Sequence, residues 1–154
     1  TVNFIRSTGS INKIFIKNSR SDSIDADFSK LKFNFVKVFN SKNDCIDFSY
    51  GTYNIESADL QQCGDKAISV GEKSIATFNK VKTQDSKIGI AAKDSSEVYI
   101  NNANMKNINI CLSAYKKKQE FNGSYLKVNN FTCEAFINRF LKDNKSTIVI
   151  KNEL

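Results

Sequence analysis

The sequence predicts an all-β protein, a single-stranded right-handed parallel β-helix (β-solenoid) of about six coils with about 22 residues each. Three observations support this prediction. Aliphatic residues recur at a fixed step, a second apolar column follows two residues behind the first, and polar turns separate the apolar pairs. A stack of coils whose strands pair with the coils above and below requires this pattern.

The apolar columns define the expected interior. The first column is aliphatic at five consecutive positions: Ile24, Ile46, Ile68, Ile90 and Leu112. The second column comprises Ala26, Phe48, Val70, Ala92 and Ala114. Residues two apart on a strand point to the same face, so both columns can line one core. A third column, expected to end each short strand in a polar residue, comprises Lys30, Thr52, Ser74 and Ser96.

The repeat changes register once in its second half. Ser124 stands six positions beyond the place that the regular step from Ser96 predicts, whereas Ser146 follows Ser124 at the regular step. An insertion of six residues, placed within residues 117–123, accounts for the whole shift. Insertions in solenoids form loops on one face, which is often the binding face.

A single domain is expected for residues 1–154, and we expect the chain to be part of a longer protein. Residues 1–10 are predicted to be an N-terminal lead-in. Residues 131–154 are predicted to be a terminal coil with a partly helical capping element that shields the open edge. An antiparallel sandwich or barrel is the alternative fold, but its strands would not need one fixed spacing.

Composition restricts the chemistry. The chain contains no His, which excludes Ser-His and Cys-His nucleophile systems. Its cysteines form no CxxC pair, so neither a metal site nor a cofactor is predicted. The preferred interpretation of the thiols is buried packing, with disulfides left open. They are Cys45, Cys63, Cys111 and Cys133.

The net charge of +7 is compatible with nucleic acid, an anionic surface or acidic polysaccharide as partner. The lysines are spread along the whole chain, and no aromatic-basic motif of a nucleic-acid-binding module accompanies them. This distribution disfavours nucleic acid and leaves acidic polysaccharide or another protein. No apolar run is long enough to span a membrane.

Two carboxylates are weak candidates for catalysis. Glu72 and Asp94 stand four residues after the first column in successive coils, so they should be stacked about 4.8 Å apart. A close carboxylate pair would suit a retaining glycosidase and would raise the pKa of one member. The preferred alternative is a solvated turn row whose charge repulsion is relieved by Lys116.

An aromatic residue beside several lysines is the candidate ligand-binding site. Tyr115 could stack on a sugar ring, while Lys93, Lys116 and Lys117 could attract uronate, sulfate or phosphate groups. The alternative is a solvated protrusion in which Phe121 packs back onto the core.

Three segments carry a resemblance to a known kind of repeat: residues 64–72 (GDKAISVGE), 88–95 (IGIAAKDS) and 114–121 (AYKKKQEF). They resemble right-handed parallel β-helix repeat regions of the pectin-lyase-like superfamily, as found in large bacterial surface and secreted proteins. The resemblance covers about residues 30–152 and brings no catalytic residue with it. It implies an extracellular or cell-surface location and carbohydrate as the ligand class.

The combined prediction is a non-catalytic surface or extracellular module for structural display and for carbohydrate or protein binding. One alternative is a fragment of a polysaccharide-active enzyme (lyase, hydrolase or epimerase) that uses Glu72 and Asp94, with Lys93 or Lys116 as a further candidate. The other is a segment of a trimeric fibre or tailspike.

Overall fold

The computed structural model describes residues 1–153, in which all the regular structure is β-strand. Eleven strands form one continuous sheet, and every pairing between them is parallel. In chain order the strands are β1 (Val2–Ile5), β2 (Thr8–Ser19), β3 (Ile24–Asp27), β4 (Lys30–Ser41), β5 (Ile46–Ser49), β6 (Thr52–Cys63), β7 (Lys66–Gly71), β8 (Ile75–Lys93), β9 (Glu97–Tyr115), β10 (Tyr125–Lys142) and β11 (Thr147–Glu153). Within these residues the structure has no helix suited to crossing a bilayer.

The strands wind into a β-solenoid of about seven turns, which confirms the predicted fold. Ile24 pairs with Ile46, and Ile46 with Ile68, so each coil lies directly on the one before it. The short strands β3, β5 and β7 continue this stack into the C-terminal ends of β8 and β9. We call the outward surface of this stack the short face. The long strands and the first parts of β8, β9 and β10 form the remainder of each coil.

Both predicted apolar columns line the core. Every member, from Ile24 to Leu112 and from Ala26 to Ala114, is completely buried. The long strands add aromatic residues to the same interior: the rings of Phe48 and Tyr53 stack with centroids 4.0 Å apart. Burying one such apolar side chain contributes roughly 1.5–3 kcal/mol, so the repeated columns are the main source of stability.

The polar third column differs from its prediction by one residue. Thr52 pairs with Ile75 rather than with Ser74, because the turn after β7 contains one extra residue. The residue stacked on Ser74 is therefore Gly51, whose N–H donates to Ser74 Oγ over 3.2 Å. The same small-residue column continues through Ser29, Ser96, Ser124 and Ser146, all of which are buried. Their hydroxyls bond to backbone groups in the turns. Lys30 and Thr52 pair with each other one position further along the chain, and both are exposed.

The six-residue insertion lies where the sequence predicts it. Tyr125 pairs with Glu97 of the coil before it, across the insertion, and with Thr147 of the coil after it, at the regular step. The additional residues form the loop between the end of β9 and the start of β10. This loop lies at the upper end of the short face.

Both chain ends are more regular than the sequence indicates. Residues 1–10, predicted as a lead-in, contain β1 and the start of β2, and Val2 pairs with Ile24 as a further coil. In the predicted capping region, β10 stays extended to Lys142 instead of forming a helix. Backbone pairing with β9 overrides the helix-like apolar spacing, because Phe136 and Phe140 continue core columns. Both rings remain about 40% exposed at this open end.

All four cysteines form disulfides, which corrects the preferred interpretation as packing thiols. Cys45 is joined to Cys63, and Cys111 to Cys133. Each bridge closes one coil, since the chain returns to the same corner after 18 or 22 residues. The columns of the sequence identify residues stacked along the axis, but they do not identify residues that meet across a corner. The pairing therefore could not be read from the repeat.

Candidate functional site

The predicted residue Asp94 anchors the inserted loop. Its side chain is completely buried, and Oδ1 accepts hydrogen bonds from the backbone N–H groups of Lys117 at 2.6 Å and Lys118 at 2.8 Å. The other oxygen, Oδ2, has no hydrogen-bond partner within residues 1–153. Asp94 thus fixes the first turn of the loop above the short face.

The second predicted carboxylate, Glu72, lies below this loop in an internal ion pair. Its Oε1 is 2.6 Å from Lys118 Nζ, and its Oε2 accepts a hydrogen bond of 2.5 Å from Ser49 Oγ. Burial alone would raise the pKa of Glu72, but these hydrogen bonds and the charges of Lys118 and Lys93 hold it below its usual value. A general acid needs a raised pKa, so the environment favours an ionised structural partner. The catalytic role of Glu72 and Asp94 stays a prediction.

The four residues predicted to bind a ligand have different environments. Lys93 is only 6% exposed, and its ammonium group lies 3.8 Å from Asp47 Oδ1, two coils away. Tyr115 stands beside Lys93 in the stack and is partly buried, which raises the pKa of its hydroxyl. Lys116 is partly buried, and Lys117 is exposed. Of the three lysines, Lys93 is therefore the least accessible to a large anionic ligand.

The anchoring role of Asp94 can be tested by proteolysis. Asp94→Ala removes the acceptor of two backbone N–H groups, which should cost about 1–3 kcal/mol locally and loosen the loop. We expect trypsin to cleave after Lys116, Lys117 or Lys118 at least tenfold faster in this variant, as followed by mass spectrometry. Asp94→Asn keeps an acceptor oxygen and should cleave nearly as slowly as the parent chain. Equal cleavage of all three chains would exclude the anchoring role.

An acidic patch occupies the lower part of the short face, in a protein whose net charge is +7. Asp25, Asp27 and Asp47 project outward from β3 and β5 and are partly buried. Burial raises the pKa of Asp25 and of Asp27, and neighbouring carboxylates raise both further. Across residues 1–153 the structure brings no three acidic, Cys or His side chains together as a metal site.

A column of flat side chains borders this patch at the turn. The rings of Phe28 and Tyr50 stack at 4.6 Å and nearly parallel, with the Arg6 guanidinium 5.5 Å from the Phe28 ring centre. Phe121 from the loop packs near the other side of Tyr50, with ring centres 6.2 Å apart. Phe28 and Tyr50 are exposed, but each covers one face of the other.

A different surface combines an accessible ring with polar groups. A groove of about 250 Å³ crosses the outward face formed by the first parts of β8, β9 and β10 and by β11. We call it the tyrosine–amide groove. Its polar lining residues include Asn79, Tyr99, Asn101, Lys127, Asn129 and Lys151. No carboxylate is among its lining residues.

Three stacked amides form one wall of the tyrosine–amide groove. Asn101 Nδ2 donates to Asn79 Oδ1 over 3.0 Å, and Asn129 Nδ2 donates to Asn101 Oδ1 over 3.2 Å. A side-chain amide has two N–H donors and two acceptor lone pairs, so each ladder member retains capacity for a ligand. Asn129 Oδ1 is the exception, because it is buried and has no hydrogen-bond partner within residues 1–153, so Asn129 offers a ligand only its amide N–H group. The ladder holds its amides in position before any ligand arrives.

Tyr99 is the aromatic residue of the groove. Its hydroxyl donates a 2.5 Å hydrogen bond to Glu97 Oε2, which orients the ring and raises the pKa of Tyr99. The ring of Tyr125 lies 5.9 Å away on the same outward face. Because Tyr99 stays neutral and projects from a rigid sheet, it can present an apolar surface to a sugar ring.

Sequence reasoning missed this groove because it followed the inward columns. The signal was the Asn-Asn pair at residues 101–102, which recurs at residues 129–130. The pairs are in register across the insertion, since Asn130 pairs with Asn102. Outward positions that repeat a polar residue in register could therefore have identified the groove.

Comparison with known proteins adds no family to these observations. No family model, curated protein or solved structure matches the chain. The function must therefore be inferred from the solenoid and its surfaces.

Proposed function

We propose that this chain is a non-catalytic carbohydrate-binding module of an extracellular or cell-surface protein, and that the tyrosine–amide groove is its binding site. The observation that carries the proposal is the arrangement of Tyr99 beside three amides in a fixed ladder. Membership of the pectin-lyase-like superfamily is part of the same proposal, supported by the parallel coils of about 22 residues.

The groove has the chemistry that sugar recognition needs. A pyranose ring presents an apolar C–H surface, which packs on an aromatic face, and a rim of hydroxyl groups. Amides can both donate to and accept from such hydroxyls. Because sheet pairing and the ladder already hold the groups in place, little side-chain entropy is lost on binding.

The acid–base inventory of the groove favours binding over hydrolysis. A glycosidase typically uses two carboxyl groups on either side of the scissile bond. The lining of the groove contains no Asp or Glu. Two carboxylates adjoin it and are already engaged: Glu97 Oε2 accepts from the Tyr99 hydroxyl, and Glu56 Oε1 accepts from Asn79 Nδ2. The arrangement therefore favours holding a sugar over cleaving it.

The disulfides support an extracellular location. All four cysteines of the chain are paired. Disulfides form and persist in oxidising environments such as the cell surface, and they are rare in reducing compartments.

The test compares two tyrosines by binding to a panel of neutral, uronate and sulfated glycans. Tyr99→Ala should weaken binding of the recognised glycan at least tenfold, a change of about 1.4 kcal/mol. Tyr115→Ala is the matched control, because it removes the same side chain from the loop region, and it should change affinity less than twofold. Loss of binding in Tyr115→Ala with full binding in Tyr99→Ala would refute the proposed site. The absence of any glycan bound through Tyr99 would refute the proposed function.

A further inference from the structure

A second groove lies next to the tyrosine–amide groove, on the neighbouring outward face. Its volume is about 470 Å³, and it crosses the middle parts of β6, β8, β9 and β10. We call it the lysine–amide groove. Its lining residues include Asp59, Lys80, Lys82, Asn102 and Asn130.

The two grooves share one corner of the solenoid. Asn102 and Asn130 directly follow Asn101 and Asn129, the ladder residues of the tyrosine–amide groove. They form a ladder of their own: Asn130 Nδ2 donates to Asn102 Oδ1 over 2.9 Å, and Asn152 Nδ2 donates to Asn130 Oδ1 over 3.1 Å. A chain of sugars that crosses this corner would therefore meet amides on both sides.

In the part of the chain that the structure describes, the lysines around the corner form no ion pair, although Asp59 is the register partner of Lys82 on the preceding coil. Lys80 and Lys82 are exposed, and within residues 1–153 neither has a carboxylate within ion-pair distance. The same holds for Lys127 and Lys151 of the tyrosine–amide groove. Asp59 is the one carboxylate that lines the lysine–amide groove, and its Oδ2 is 3.3 Å from Lys37 Nζ.

This distribution contrasts with the lysines around the short face. There, Lys66, Lys93 and Lys118 each lie within 4 Å of a carboxylate: Asp44, Asp47 and Glu72 respectively. A negative ligand would have to displace an internal partner to reach any of these three ammonium groups, although Lys116 and Lys117 of the loop have no carboxylate within 4 Å among residues 1–153. At the amide corner it would meet ammonium groups that have none.

We infer that the lysine–amide groove binds the acidic groups of the polysaccharide whose sugar ring packs on Tyr99, so that the ligand class is anionic glycan. This inference rests on the proposed function. An ammonium group is a compact charge with three donors, and charge-assisted hydrogen bonds to carboxylate or sulfate are stronger than neutral ones. Exposed charges are screened over about 10 Å at 0.1 M salt, so the contribution must decrease as salt increases.

The experiment measures binding to dextran, carboxymethyl-dextran and dextran sulfate, which share one backbone and differ in charge, at low and moderate salt. The parent chain should prefer at least one anionic polymer to dextran. Lys80→Ala/Lys82→Ala should weaken binding of that polymer at least fivefold and leave dextran binding unchanged. The matched control is Lys30→Ala/Lys32→Ala, which removes two exposed lysines at the same spacing from β4. It should weaken binding less than twofold.

Three results would overturn the inference. Equal binding of all three polymers would exclude an anionic ligand class. Equal losses in the two double variants would assign the effect to net charge rather than to the groove. Tighter binding of a single-stranded oligonucleotide through Lys80 and Lys82 would identify nucleic acid as the polyanion. The proposed function fails separately, when binding no longer depends on Tyr99.

Discussion

Replacing Cys45 and Cys63 together by serine is expected to lower the free energy of unfolding by about 3 kcal/mol. The bridge closes a segment of 18 residues within one coil, so its loss returns conformational entropy to the unfolded chain. Both residues are buried against the core at the corner of the coil. Urea unfolding followed by circular dichroism measures the change.

A second variant separates the effect of losing the covalent bridge from the effect of burying serine side chains. Cys45→Ala/Cys63→Ala avoids burying two hydroxyl groups and should lose stability by a similar amount, if the covalent link is responsible. Alkylation of the unfolded, unreduced parent chain should modify no cysteine. Four alkylated thiols, together with unchanged stability in both variants, would show that the disulfides do not form.

The free energy of unfolding is also expected to rise, by roughly 1–2 kcal/mol, as the pH falls from 7.5 to 5. The main cause is Asp44, whose pKa is raised to about 6 because burial outweighs the attraction of Lys66 and of its N–H group. The raised pKa values of Asp25 and Asp27 act in the same direction. Thermal or urea unfolding at several pH values measures the effect.

The sign follows from proton binding. A carboxyl group with a raised pKa binds its proton more tightly in the folded state, so its stabilising contribution is complete below the unfolded pKa of about 3.9. That contribution is lost as the pH rises through about 6. The chain has no His, so no imidazole titration overlaps this range. Glu72 and Asp143, whose pKa values are lowered, oppose the trend only at more acidic pH.

Asp44→Asn is the matched variant for this prediction. In the parent chain, Asp44 Oδ1 accepts a hydrogen bond of 2.9 Å from the backbone N–H of Lys66. The variant removes the titrating group but keeps an amide oxygen that can accept this bond. Its stability should rise clearly less than that of the parent chain as the pH falls from 7.5 to 5, and the remaining rise is due to Asp25 and Asp27. Asp65→Asn, at the neighbouring and more exposed position, should keep the slope of the parent chain. A parent chain that loses stability between pH 7.5 and 5 would contradict the assignment.

The core of this fold can be predicted from sequence because residues that are one coil length apart in the chain become stacked neighbours in the structure. Residues such as Ile46 and Ile68 recur at one step, and only a coil of that length places them over one another. The extra residue in the turn near Ser74 was not predicted, because a turn can lengthen by one residue while the strands on both sides keep their pairing. Local spacing was also misleading around Phe136, where pairing with the preceding coil determined the conformation.

The candidate site was harder to predict, since chemistry depends on what each side chain contacts. Lys93 and Tyr115 stand one regular step apart and pair in the structure, but the repeat did not show that the Lys93 ammonium reaches back to Asp47. Nor did it show that Asp94 Oδ1 accepts hydrogen bonds from the backbone N–H groups of the loop. The repeated Asn-Asn pairs can be seen in the sequence. The groove that they line could not be predicted, because the sequence does not show that their amides meet at a corner of the solenoid.

Chemical-shift mapping is the most direct test of ligand binding at the tyrosine–amide groove. The ¹⁵N-labelled chain would be titrated with an oligosaccharide of the glycan that the panel identifies. We expect the perturbed amides to cluster in residues 77–79, 99–101 and 127–129, three segments that are distant in sequence and adjacent on one face. Perturbations confined to residues 115–118 and their neighbours on the short face would contradict this expectation and would place the ligand at the loop.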